Sequence, residues 1–287
     1  MRAFRIAYDG SEFRGFQRQP DVTTVEDALF DALADLDVLD GAKPAGYAAA
    51  GRTDAGVSAL AQTVAFEAPA WLSPAALNGE LPAAVRAWAS ADAPADFHAT
   101  HDAAEREYTY HLYAPATGEG AHGHEGDRNG TVDGGGRGDV DDGRARDALD
   151  ALAGEHDFHN CTPDETGTVR DLRTALERDG DFLVVRLRAD GFARQLVRRI
   201  ASLVTEVARG DADLDRIDRV LSAASLDGSA GVAPAPARPL VLTDVVYPDL
   251  SFVVDDDAAA SARDVFAERH RTAAANARVA ATIRDGV

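Results

Sequence analysis

Arg52 and Asp54, in the run Gly51-Arg52-Thr53-Asp54-Ala55-Gly56-Val57, are the residues with the most chemical promise. They lie two apart, so in extended backbone both side chains point to the same side. An arginine close to an aspartate favours the ionised carboxylate. That is the state a carboxylate nucleophile or base needs. The flanks are small and apolar, Tyr47-Ala48-Ala49-Ala50 before and Ala59-Leu60-Ala61 after, and both read as strand-like. The same residues would equally make a Thr-Asp-x-Gly turn with a surface ion pair. The run alone leaves both readings open.

Other sets of reactive residues carry less. His122 and His124 are spaced like metal ligands but have no supporting cysteine or core, and His156, His159 and Cys161 show no fourth ligand nearby. Neither set reads as a metal site. The loop Phe13-Arg14-Gly15-Phe16-Gln17-Arg18-Gln19-Pro20 mixes aromatic, basic and amide side chains. It suits stacking on bases and contacts to phosphates, or a polar loop with two buried phenylalanines. Arg194, Arg198 and Arg199 crowd the start of an apolar helical run, where positive charge opposes the helix dipole. That local cost suggests a task, such as holding a carboxylate or phosphates.

The elements that must position these residues follow from periodicity. Arg2 to Tyr8 reads as a strand. Thr24 opens a helix with Asp27 three residues on, a near capping box, and Val25, Ala28, Leu29, Ala32, Leu33 and Leu36 form its apolar face. Strands are expected at Gln62 to Glu67, Val85 to Ala89 and Arg106 to Tyr113, with a short helix opened by Ser73-Pro74. Residues 114–143 form a loop rich in glycine, aspartate and histidine. A helix over Arg144 to Ala153, capped by Asp142, precedes a polar connection through Cys161. Thr168 to Arg178 and Phe182 to Ala189 make a hairpin about Asp179-Gly180. Two helices follow, at Leu196 to Val207 and Leu214 to Ser222, then an apolar strand at Leu240 to Tyr247. Ala258 to Ile283 is an alanine-rich helical appendage. Hairpins in a mixed order favour an α+β fold, with two similar subdomains of antiparallel mixed sheet flanked by helices. The expected division is 1–105, carrying Asp54, then 106–250, then the appendage 251–287.

Composition limits the setting. The chain has 287 residues, 45% hydrophobic and 27% charged, with a net charge of -20 and a single lysine, Lys43. So acidic a balance usually argues against a nucleic-acid partner. In concentrated salt, however, the Debye length shrinks to a few Å and long-range repulsion fades. An acidic, lysine-poor surface suits a salt-loaded cytoplasm, as in a halophilic archaeon, and there net charge does not exclude RNA. The lone Cys161 permits no internal disulfide, which fits a reducing compartment. No leader-like or membrane-length apolar run appears, so the expected location is cytoplasmic, without a membrane partner.

Several stretches together resemble one family. They are Tyr8-Asp9-Gly10 with Phe13, Gly15, Gln17 and Gln19; Gly51 to Val57; Phe97-His98-Ala99; Arg106 with Tyr108 and Tyr110; Leu196-Val197-Arg198; and Pro236-Ala237 with Leu240, Leu242 and Val246-Tyr247-Pro248. In this order they resemble the tRNA pseudouridine synthase A (TruA) family. The resemblance implies a homodimer of two-domain subunits with a basic cleft between domains. It also implies conversion of uridine to pseudouridine at positions 38, 39 and 40 of the tRNA anticodon stem-loop, with no metal or organic cofactor. It gives Asp54 the catalytic carboxylate and Arg52 the handling of the flipped uridine. Tyr108 would stack on the base, Arg198 would pair with the aspartate, and Leu242 would line the base pocket. Two positions depart from the family pattern: Ser58 stands where histidine is usual, and Arg199 where asparagine is common. The alternatives are a pseudouridine synthase of other RNA-site specificity, a non-catalytic RNA-binding module, and a hydrolase pairing Asp54 with Glu67 or Glu107.

Overall fold

The computed structural model describes residues 1–115, 140–226 and 228–287. Most of the glycine-rich stretch, including His122 and His124, lies outside the described residues. In chain order the first elements are β1 (Arg2–Tyr8), α1 (Val25–Asp35), β2 (Ala48–Ala49), β3 (Ser58–Phe66), α2 (Pro74–Glu80), β4 (Val85–Asp92) and β5 (Glu105–Tyr113). Then come α3 (Asp142–Leu152), β6 (Gly154–Asp157), β7 (Val169–Asp179), β8 (Phe182–Ala189), α4 (Leu196–Ala208), α5 (Asp215–Leu221), β9 (Leu240–Val246), β10 (Val253–Val254) and α6 (Asp256–Gly286). The fold is mixed α+β, as the order of periodic segments implies. The chain divides into two compact units, Met1–Ala104 with Val241–Val287, and Glu105–Leu240.

The first unit has strand order β10-β4-β1-β3-β9, with β2 also paired to β3. Its pairs are antiparallel except β3 with β9. β1 lies between two partners, so every residue after Arg2 is buried. Phe4 stacks on Phe66 at 5.3 Å between ring centres. Burying such a side chain is worth about 1.5–3 kcal/mol. Arg5 is also buried, where Nη1 donates to the Ala61 carbonyl at 3.2 Å and Nη2 to that of Val245 at 2.6 Å. Its guanidinium lies over the Phe252 ring. With its donors occupied, a buried arginine is tolerable, although burial lowers its pKa.

α1 begins where the sequence places it. The Thr24 hydroxyl accepts from the Asp27 amide, and the Asp27 carboxylate accepts from the Thr24 amide, completing the capping box. Ser73 caps α2, with Pro74 in its first turn.

The second unit has strand order β5-β8-β7-β6, all antiparallel. α4 buries Leu196, Val197, Ile200, Leu203, Val204 and Val207, as its periodicity requires. α3 packs against α4 and β7. The Cys161 thiol is wholly buried, and burial pushes its pKa up to about 12.

Several boundaries differ from the sequence expectation. β3 starts at Ser58, four residues before Gln62, because pairing to β1 and β9 extends the sheet through alanines of low strand preference. α3 starts at Asp142 with Asp141 as its cap, since either of two adjacent aspartates suits the N-terminus. Gly154 to Asp157, expected as a connection, is a polar strand paired with β7. The β7–β8 turn is Gly180-Asp181, one residue later than expected, because Asp179 pairs with Phe182. Gly180 supplies a φ of +54° there. Arg194 lies before α4, leaving Arg198 and Arg199 within it.

Thr24→Ala removes a cap that is entirely buried. It is expected to lower unfolding free energy by about 1–2 kcal/mol. Denaturant melting in concentrated salt checks this, and unchanged stability would show that the box contributes nothing.

Candidate active site

The turn carrying Asp54 is fixed by its neighbours. Thr53 is buried at 6% exposure while Asp54 is half-buried and Arg52 exposed. This in–out alternation puts Arg52 and Asp54 on the outer side, as the two-residue spacing predicts. Thr53 Oγ1 and the Tyr8 hydroxyl share a buried hydrogen bond of 2.8 Å. The Thr53 carbonyl accepts from the Phe16 amide at 3.1 Å, and the Asp54 carbonyl accepts from the Val57 amide at 3.1 Å. Upstream, the Gly51 carbonyl accepts from Gln62 Nε2 at 2.9 Å. Gly56 completes the turn with a φ of +84°, a conformation open to glycine and strained for other residues.

Two further glycines permit the close fit. A Cβ on Gly10 would stand 2.0 Å from the Val57 carbonyl oxygen. On Gly15, whose φ is +106°, it would stand 3.2 Å from the Thr53 carbonyl oxygen. The Gly10 amide also donates to Ser58 Oγ at 3.1 Å. Ser58, the departure from the family pattern, thus ties β3 to the 3-10 turn Gly10–Glu12. The mixed loop after that turn resolves toward packing: Phe13 and Phe16 are buried, and Arg18 pairs with Asp27.

Asp9 begins the same turn. Burial pushes its carboxyl up, but hydrogen bonds from Ser11 and the Arg269 guanidinium outweigh this and leave it below the usual range. A carboxylate so shifted stabilises the fold above its unfolded value, and that contribution is lost as pH falls through the folded one.

Leu242, in β9, is paired with Ala59 of β3 and is 1% exposed. It therefore lies beside the strand that leaves the Asp54 turn, within the same unit.

Tyr108 and Arg198 belong to the second unit. Tyr108 is buried on β5, with its ring edge-to-face on Phe192 at 5.2 Å. Arg106, two residues earlier, donates to the Asp190 carbonyl at 2.5 Å, which pins the backbone that presents Phe192. Arg198 Nε donates to the Ala235 carbonyl at 2.7 Å, and Arg199 donates to the Val232 carbonyl. Both arginines therefore anchor the Gly/Ala/Pro-rich loop before β9, which offsets the dipole cost of their position. Burial raises the Tyr110 pKa, partly countered by Arg198 and Arg209. Glu107 pairs with Arg188, so it is committed to an ion pair within its own sheet.

His156 Nε2 lies 2.9 Å from the Ala153 carbonyl, and His159 pairs with Asp157. Among the described residues no group of three His, Cys, Asp or Glu side chains could hold a metal ion.

Tyr8, Gln62 and Ser58 brace the turn, a role that no local motif carries. For Gln62 a signal does exist: Gln62-Thr63 puts two adjacent polar residues into an apolar strand, and both are wholly buried. Buried polar side chains imply fixed partners.

The profile of the tRNA pseudouridine synthase family matches residues 148–248. The chain is 60% identical to the tRNA pseudouridine synthase A of Haloarcula marismortui over 289 aligned residues, covering 100% of each chain. It is 57% identical to that of Natronomonas pharaonis, covering 99% of this chain and 98% of the relative. It is 36% identical to that of Methanosarcina acetivorans, covering 89% and 87%. The match to the halophilic relatives is full-length, and so takes in the Asp54 turn that the profile does not reach.

Gly10→Ala is expected to displace the Val57 carbonyl and loosen the turn. Faster amide exchange at Val57, with only a modest fall in Tm, is the expected result. Unchanged exchange would show that the close approach does not hold the turn.

Proposed function

The chain belongs to the tRNA pseudouridine synthase A family, and on that premise we propose that it isomerises uridine to pseudouridine in tRNA. The target sites proposed are positions 38, 39 and 40 of the anticodon stem-loop. The observation that carries the reading is the braced turn: a half-buried Asp54 beside an exposed Arg52, with Thr53 locked beneath them.

The chemistry suits these groups. A uridine inside a stem must leave the helix before an enzyme can reach its glycosidic bond. The N1–C1′ bond then breaks, the uracil turns, and C5 joins C1′. The C5 proton leaves to solvent and N1 gains one, so the product is an isomer. Asp54 supplies the carboxylate that starts cleavage, as nucleophile or as base toward the 2′ hydrogen. Arg52 holds the flipped nucleotide through its phosphate or sugar. Tyr108, Arg198 and Leu242 enter by their match to the family motif. Tyr108 is given the face of the uracil and its C5 proton, Arg198 the charge that keeps the aspartate ionised, and Leu242 the lining of the base pocket. The working form is taken to be a cytoplasmic homodimer without metal or organic cofactor. Among the described residues no helix is long and apolar enough to cross a membrane.

Tritium release from C5-labelled uridine in tRNA tests the reading. Asp54→Asn is expected to slow release by at least about a hundredfold, with tRNA binding retained. Activity kept in this variant would remove Asp54 from the chemistry. Tyr108→Phe should keep binding but lower turnover, and an unchanged rate would exclude its hydroxyl. Mapping pseudouridine in the product tRNA checks the three positions.

A further inference from the structure

α6 is two helices in one. Its first half packs on β4 and α2, burying Ala258, Ala259 and Ala262. From His270 onward every residue is exposed except the half-buried Ala281. The change comes at Arg269, whose Nη1 contacts Asp9 and Nη2 contacts Glu12, each at 2.7 Å. Beyond this clamp the helix runs on for roughly 24 Å at 1.5 Å per residue. A helix with no packed face persists only on intrinsic propensity, and the alanines between Thr272 and Thr282 supply it.

Its charge runs against that of the chain as a whole. The protein carries -20 overall, yet Arg269 to Arg284 holds four arginines and no carboxylate. Arg271 and Arg278 are seven residues apart, two turns of helix, so they share a side at a spacing of about 10.5 Å. Arg284 extends the positive surface at the tip. Arg271 pairs with Glu268 and Arg284 with Asp285, and both pairs are exposed. Such pairs are worth about 0–1 kcal/mol and exchange readily for a stronger anion. The alanines around the arginines leave a low surface that a polynucleotide backbone can approach. The clamp also fixes where this surface starts. Asp9 adjoins Gly10, which is in close contact with Val57 of the Asp54 turn.

We propose that the outer half of α6 is a basic arm that grips the phosphate backbone of the RNA substrate through Arg271, Arg278 and Arg284. This rests on the proposed function for the identity of the RNA. The arm adds exposed guanidinium groups to a chain of net negative charge, on the same unit as the Asp54 turn. Direct guanidinium–phosphate hydrogen bonds act at short range, so they persist in salt that screens the net charge. A second copy packing on exposed Val279 and Ile283 is the competing occupant. It would bring like-charged arms together.

The test is the full chain with Arg271→Gln, Arg278→Gln and Arg284→Gln combined, compared with the matching Arg→Lys triple. Binding of unmodified tRNA is measured across a KCl series in which circular dichroism shows both proteins folded. The glutamine triple is expected to raise Kd and KM about tenfold with kcat within twofold. It should also flatten the slope of log Kd against log salt by about 2, since each phosphate that a cation no longer neutralises removes about 0.7–0.9. The lysine triple should recover most of the affinity. Affinity and slope equal to wild type would overturn the arm. So would a change of sedimentation with tRNA affinity intact, which would assign the arm to an interface between copies. A wild type that binds tRNA but releases no tritium would instead overturn the functional reading and leave the arm standing.

Discussion

A hydrogen bond between two buried hydroxyls, Tyr8 to Thr53, underlies everything proposed for Asp54. A carboxylate that must meet a bulky substrate cannot be fixed by its own burial. Its position has to come from the residues beside it. Ordering each turn residue costs about 1–2 kcal/mol of backbone entropy. Here that cost is met below the turn, where Thr53, Tyr8, Phe16 and Gln62 satisfy polar groups out of water. Tyr8 can serve because β1 lies between two partner strands and is buried on both faces. Gly10 then lets the Val57 carbonyl approach to a distance that a Cβ would forbid, and Gly15 takes a positive φ that other residues rarely adopt. The sheet, the 3-10 turn and the Asp54 turn form one braced piece.

Much of this is legible in the sequence where the signal is local. The capping box at Thr24, the proline-led start of α2 and the apolar face of α4 each depend on residues within a few turns of each other. Local chemistry settles them. The shifted boundaries share a different cause. The early start of β3 at Ser58 and the strand character of Gly154 to Asp157 come from partner strands, not from their own residues. Alanine and polar sequences of that kind do not announce pairing. The site is legible in the same uneven way. The spacing of Arg52 and Asp54 implies their common side, but the brace stays hidden because Tyr8 and Thr53 are 45 residues apart. Ser58 shows the limit of reading by pattern. As a departure it reads as a loss, yet in the fold its hydroxyl receives the Gly10 amide.

The arginines show how an acidic chain places its few cations. With Lys43 as the single lysine, nearly all its positive charge sits on guanidinium groups. A guanidinium is weakly hydrated and presents a planar set of donors, so it can be buried against carbonyls where an ammonium would be costly. Arg5 does this in the core, and Arg198 and Arg199 do it along the loop before β9. These groups hold the fold. An RNA substrate, however, needs cations that can be reached. In high salt the long-range field contributes little, so what counts is the number of cations able to touch phosphate directly. Exposed Arg52 beside Asp54 is one such group, and Arg271, Arg278 and Arg284 add three more on a helix whose alanine-rich composition lets it stand without packing. The acidic body and the basic arm are then two answers to one condition: surface carboxylates for solubility in salt, and a few exposed guanidinium groups to meet phosphate.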